Sequence, residues 1–164
     1  MKKLIVCLCL IACQLNAANW LPDPKLTPGE VDPTVTLEML RSPAFIKSRR
    51  NVPISEKKAI FRLYGVPWSE RAHYEVDHYL PLCLGGKNSR ANLWLEWWDG
   101  PFGAHTKDRL EMYLHRQSLK GTITLKEAQS AFLDGPWTNA LAKYNIKVSG
   151  TRNALFKLTH RAVK

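Results

Sequence analysis

Apolar positions along this chain change their spacing several times, and each change predicts a different element. Between residues 53 and 64, Ala59, Ile60 and Leu63 recur at helical spacing, with Lys57, Lys58 and Arg62 on the charged side. Ser55 stands where a capping hydroxyl belongs, and Gly65 before Pro67 ends the run. Residues 74–84 mix aromatic and aliphatic side chains and then meet Gly85-Gly86, which predicts a strand entering a turn, and residues 92–98 read as its partner strand. The Asp-Gly-Pro-Phe-Gly run at 99–103 breaks the chain, and residues 104–117 then place Leu110, Tyr113 and Leu114 on one helical face. A further helix over 124–133 opens with a Thr-x-x-Glu capping box, Thr124 to Glu127. Strand, turn, strand, helix, with flanking helices, is an α+β order.

The two ends read differently. The first 18 residues carry Lys2 and Lys3, an apolar run from Leu4 to Cys13 and small residues at Ala17 and Ala18, the pattern of a signal peptide. That run is too short to span a bilayer, which takes roughly 20 apolar residues, and no later stretch is long enough either. The expectation is an exported protein, periplasmic or secreted, without a transmembrane helix. Leu10-Ile11-Ala12-Cys13 also has the form of a lipobox, which gives a lipid anchor at Cys13 as the second reading. Residues 19–52 are rich in proline, with only a short helix expected around 36–40, and form a wrap or arm. The main domain is expected over 53–144. Residues 145–164 form a basic tail, since no acidic residue follows Asp134 while Lys143, Lys147, Arg152, Lys157, Arg161 and Lys164 accumulate.

Cleavage of the leader leaves about 146 residues, enough for one domain with its own core and monomeric as read here. The formal charge of +10 falls by only two with Lys2 and Lys3, so an acidic partner such as nucleic acid or an anionic envelope polymer is favoured. Three of the four cysteines lie in the leader, which leaves Cys83 alone and rules out both an intrachain disulfide and a thiolate metal cluster in the mature chain.

Against this background, Asp77, His78, Asn92 and His105 carry chemistry. Hydrolysis of a phosphodiester needs a nucleophilic water, neutralisation of charge on the phosphoryl oxygens and help for the leaving oxygen. A neutral imidazole takes the water proton, while a carboxylate and a second imidazole hold a divalent ion. Adjacent Asp77 and His78 would point to opposite faces of a regular strand, so they act together only where the strand twists or ends, and Pro81 and Gly85-Gly86 favour an early end. Asn92, across the glycine turn, has an amide suited to fixing the loop that carries His78. His105 sits roughly 140° from Leu110 around its helix, off the apolar stripe. Lys107 and Arg109 face phosphate or solvent in this reading, with a Lys107–Glu111 i,i+4 pair as the plain alternative. Trp94, Trp97 and Trp98 read first as core and second as a stacking platform for unpaired bases. His73 and His115 read as surface residues.

Glu-Val-Asp-His-Tyr-Leu-Pro-Leu-Cys-Leu-Gly-Gly from Glu75, Asn-Leu-Trp from Asn92 and Ala-His-Thr-Lys-Asp-Arg-Leu-Glu from Ala104 resemble the HNH endonucleases. Flanking stretches at 26–36, 64–78 and 121–129 resemble a group of secreted bacterial HNH proteins. The resemblance implies a ββα-metal hairpin-plus-helix core and an exported endonuclease acting on nucleic acid, with DNA ahead of RNA. It implies Asp77 and His105 as ligands of one divalent ion, Mg²⁺ ahead of Mn²⁺, Zn²⁺ or Ca²⁺. It further implies His78 as general base and Asn92 as the loop-fixing residue.

The chain departs from those relatives in four places. It has no cysteine near Arg41 or Leu119, where they often carry a pair. Cys83 stands where an acidic residue is common, and Leu95-Glu96 replaces the usual Pro-Gln. The 99–103 insert shifts the frame before His105, with Asp108 or Glu111 as replacement ligands. A noncatalytic envelope protein that binds nucleic acid or another polyanion on the same frame is the alternative function, and an ion that only staples the hairpin to the helix is a third.

Overall fold

The computed structural model describes residues 20–148, so the expected leader, the Cys13 anchor and most of the basic tail lie outside the described residues. Among the described residues the architecture is mixed α+β. It has one two-stranded antiparallel sheet, five α-helices and short 3-10 turns, and no helix long and apolar enough to cross a membrane.

The sheet is the hairpin β1 (Tyr74–His78) and β2 (Leu93–Trp97), in a register that sets Glu75 opposite Glu96, Asp77 opposite Trp94 and His78 opposite Leu93. Alternation along each strand splits these residues between two faces. Val76, Leu93 and Leu95 pack against Ile60 and Phe61 of α2 (Ile54–Leu63), and Phe61 meets Trp68 and Tyr74 edge-on. The other face carries Glu75, Asp77, Trp94 and Glu96 toward α3 (Ala104–Lys120). There Trp94, Leu110 and Leu114 join Phe132 of α4 (Leu125–Leu133) and Ala140 and Leu141 of α5 (Thr138–Lys143) in the main core.

Several elements differ from the pattern-based reading. β1 stops at His78, because Pro81 opens a 3-10 turn at Leu82–Leu84 and Gly85 follows in the left-handed region at φ 82°. Helix α2 begins one residue before Ser55 with Pro53 at its cap position, so Ser55 is not the cap: proline's fixed φ already suits the entry and needs no hydroxyl. The short helix expected near 36–40 is a 3-10 turn at Met39–Arg41, followed by α1 (Pro43–Ser48), which Ser42 caps through Phe45 N with Pro43 at the first helical position. The Thr124–Glu127 capping box forms in both directions.

The proline-rich segment is stitched to the hairpin connection. Gly29 N donates to Ala91 O, Lys87 N donates to Glu30 O, Val31 bridges Gly86 and Thr27 Oγ1 donates to Leu93 O. Farther along, Arg41 Nη2 reaches Leu119 O at 3.3 Å and His115 Nε2 meets Leu40 O at 3.0 Å. Arg41 and Leu119, far apart in sequence, therefore lie side by side, joined by a hydrogen bond. His115 is correspondingly a half-buried bridging residue and not a plain surface one.

Candidate functional site

The site is built on the connection between the strands, and Asn92 holds that connection together. Its side chain is fully buried at the entry to β2. Oδ1 accepts from Leu80 N at 2.8 Å and from Glu30 N at 3.3 Å, while Nδ2 donates to Leu80 O and Lys87 O, both at 2.9 Å. One amide thus satisfies backbone groups from three separate segments, which a carboxylate or an aliphatic chain does not do. The backbone passes so close that a Cβ on Gly86 would lie 1.9 Å from Leu80 O and 2.9 Å from Asn92 Nδ2. Glycine at 86 is required by space.

This brace fixes the end of β1, where His78 is 7% exposed. Its Nε2 lies 3.0 Å from Asn88 Oδ1, and the Asn88 amide nitrogen is committed to Asn51 O. An acceptor oxygen therefore faces Nε2, so the proton sits on Nε2 and the lone pair on Nδ1, which has no hydrogen-bond partner among the described residues. Burial lowers the His78 pKa from its ordinary value, only partly offset by the Asn88 bond and the Asp77 charge. At neutral pH the ring is an uncharged base with a fixed tautomer. Asn88 has no counterpart among the expected site residues; its nearness to His78 arises from the fold of the 79–91 connection.

Asp77 occupies the opposite face and meets an internal cation. Lys107, on the first turns of α3, is completely buried, its ammonium 2.5 Å from Asp77 Oδ2 and 2.9 Å from His78 O, and bonded also to Glu111. Glu96 lies 3.9 Å away. The expectation that Lys107 meets phosphate or solvent is thus corrected: its ammonium lies 5.7 Å from the centre of the Phe132 ring and its three donors are spent on internal acceptors. The i,i+4 pairing with Glu111 is present. Burial opposes the charge on Lys107, but Asp77, Glu111 and Glu96 outweigh it and raise its pKa well above the ordinary value. Burial would likewise raise Asp77, yet the Lys107 charge and hydrogen bond hold it below the usual carboxylate value.

The surrounding carboxyls are shifted the other way. Burial, followed by the Asp77 and Asp108 charges, pushes Glu75 up to about 7. Burial outweighs Lys107 in Glu111, also about 7, and burial pushes Glu96 well above the ordinary range, with the charge of Asp77 and a carboxyl–carboxylate contact to it adding to the rise. Asp108 is raised by burial and by Asp77, with His105 among the charges that oppose the rise.

Asp77, Asp108, Glu75 and His105 therefore share one electrostatic neighbourhood, and the Asp77 side chain keeps 24% of its surface exposed while Oδ2 is committed to Lys107. His105 is exposed on the first turn of α3, with its ring 6.2 Å from that of Trp98. Among the described residues no three His, Cys, Asp or Glu side chains are grouped closely enough to cage an ion. Asp77, held ionised by Lys107 and partly exposed, is the carboxylate here whose chemistry suits a hard, largely hydrated cation, the kind that takes only one or two protein carboxylates.

The remaining expected residues separate. Trp94 is core, Trp97 stacks on Tyr74 at 4.3 Å, and Trp98 is 37% exposed. Arg109 is a brace between α3 and the chain after α5: its Nη2 donates to Lys147 O at 2.7 Å and to Thr106 Oγ1 at 3.2 Å. Cys83 is partly buried, and burial pushes its thiol far up, so it is no nucleophile. Of the acidic neighbours that sequence reasoning missed, Glu96 had one legible signal: a charged residue inside an otherwise apolar strand. Compared with known proteins, the chain matches no family model, no curated protein and no solved structure.

Proposed function

We propose that this chain is an exported HNH-type endonuclease with a ββα-metal core, hydrolysing phosphodiester bonds of nucleic acid, with DNA as the substrate. The observation that carries the reading is the state of His78: neutral, locked by Asn88 with its proton on Nε2, and offering an unpartnered Nδ1 at the end of β1. His78 Nδ1 takes the proton of the attacking water as it approaches phosphorus in line with the departing 3′ oxygen, leaving 5′-phosphate and 3′-hydroxyl ends. Asn92 keeps the imidazole in place by fixing the backbone on both sides of the connection, and Lys107 holds Asp77 ionised and oriented through Oδ2. Asp77 and His105 are the residues that would hold the divalent ion, with Asp108 adjacent. Such an ion supplies charge neutralisation on the phosphoryl and leaving oxygens.

One observation favours a second reading, a noncatalytic polyanion-binding protein on the same frame. Lys107 already neutralises Asp77 from within, which gives the acidic cluster a cation of its own. Digestion of supercoiled plasmid by the purified mature chain separates the two. Cleavage that requires Mg²⁺, stops with chelator and is lost in His78→Ala supports the nuclease. A folded protein that binds DNA in a metal-independent, salt-sensitive manner and never cuts it supports the second reading.

A further inference from the structure

Helix α3 carries a second feature at its C-terminal half, away from His78. A groove of about 560 Å³ runs between this helix and the segment after α5, lined by Arg109, Tyr113, Arg116, Lys120, Asn145 and Lys147 among others, with no carboxylate in its walls. Arg109, Arg116 and Lys120 follow at i, i+7 and i+11, which at 100° per residue brings them within about 20° of one line along the helix. The rise of 1.5 Å per residue sets them roughly 10 and 6 Å apart along it. Arg109 braces the wall through Lys147 O, and Lys147 itself lines the groove. Arg116, Lys120 and Lys147 are exposed and form no ion pair among the described residues.

We infer that this groove is a nucleic-acid backbone site, in which Arg116, Lys120 and Lys147 contact successive phosphates of a strand leading to the hairpin. Charge complementarity carries the assignment: an acid-free channel with cations spaced on the scale of the phosphate repeat recruits a polyanion and releases its counterions. The chain's own residues 149–164 are a poor occupant, since Arg152, Lys157, Arg161 and Lys164 would be repelled. Exposed Met112 and half-buried Tyr113 offer apolar surface to sugars or bases between the phosphate contacts. The inference rests on the proposed substrate class, and it gives that substrate a track along α3, whose first turn holds His105.

The test is fluorescence anisotropy of a short labelled DNA duplex and a matching single strand, with the full mature chain in EDTA so that only binding is read. Arg116→Glu/Lys120→Glu should weaken binding roughly tenfold or more and flatten the log–log salt slope by about two, the loss of two phosphate contacts. Lys147→Glu alone should flatten it by about one. Lys25→Glu/Lys126→Glu, an equal charge change on exposed residues elsewhere, should leave the slope intact. Unchanged affinity and slope in Arg116→Glu/Lys120→Glu, or an equal loss in the Lys25/Lys126 control, overturns the site. Binding to heparin with none to either DNA also overturns it. These outcomes are independent of cleavage, so a protein that binds through the groove and does not cut would refute the nuclease and keep the groove.

Discussion

Asn92 grips Leu80 by both of its backbone groups, accepting from its N–H at 2.8 Å and donating to its C=O at 2.9 Å. This pairing ties the start of β2 to the chain just after β1, and the turn between them follows from it.

Replacing Asn92 with Ala removes all four bonds of that amide. Each buried backbone group left unpaired costs about 1 to 3 kcal/mol, so Asn92→Ala should lose several times the stability of an ordinary surface substitution in urea denaturation. Cleavage should fall with it at temperatures where the variant remains folded, because the imidazole loses its support. A variant as stable as the parent would show that the brace is dispensable.

Gly86→Ala tests the same brace by a different route. The added methyl meets Leu80 O at 1.9 Å and Leu80 C at 2.7 Å, and both are backbone atoms that cannot swing aside. The expected result is destabilisation comparable to Asn92→Ala, with little further loss when the two are combined, since both disrupt one contact. A double-mutant cycle by thermal melting reads this directly; full additivity would contradict it.

Lys107→Met keeps the length of the side chain and deletes its charge. The change leaves half-buried Asp77 and Glu111 without the buried cation they share, and breaking a fully buried pair costs about 3 to 5 kcal/mol, which sets the upper bound. The melting temperature should drop sharply at neutral pH and recover in part under mild acid, where the carboxyls accept protons. Equal losses at both pH values would place the effect in side-chain packing and not in the charge.

The raised carboxyls set a pH dependence of stability. In the unfolded chain Glu75, Glu96 and Glu111 titrate near their ordinary value of 4.5, while the folded protein holds Glu75 and Glu111 near 7 and Glu96 well above 4.5. Between those values the folded state binds more protons, so their contribution is complete below about pH 4.5 and is lost as pH rises through 7. The depressed His78 acts oppositely below its ordinary value of 6.5, as one group against three. Urea denaturation in EDTA should therefore show stability declining from about pH 5 to 8, and Glu96→Gln should flatten the decline. A rise over this window would contradict the assigned shifts.

The sequence alone carried the α+β order, the hairpin, the helix from residue 104 in outline and the capping box at Thr124. These are short-range properties: apolar periodicity, turn residues and caps act within a few positions and are written locally. Tertiary structure decided what each polar group faces. It set Asn88 against the imidazole, turned Lys107 inward onto Asp77 and Glu111, and made Arg109 a brace for the groove instead of a free cation. A lysine in a helix reads as solvent-facing until the opposing strand supplies carboxylates for it to neutralise. That partner lies 30 residues away and is joined to it only by folding.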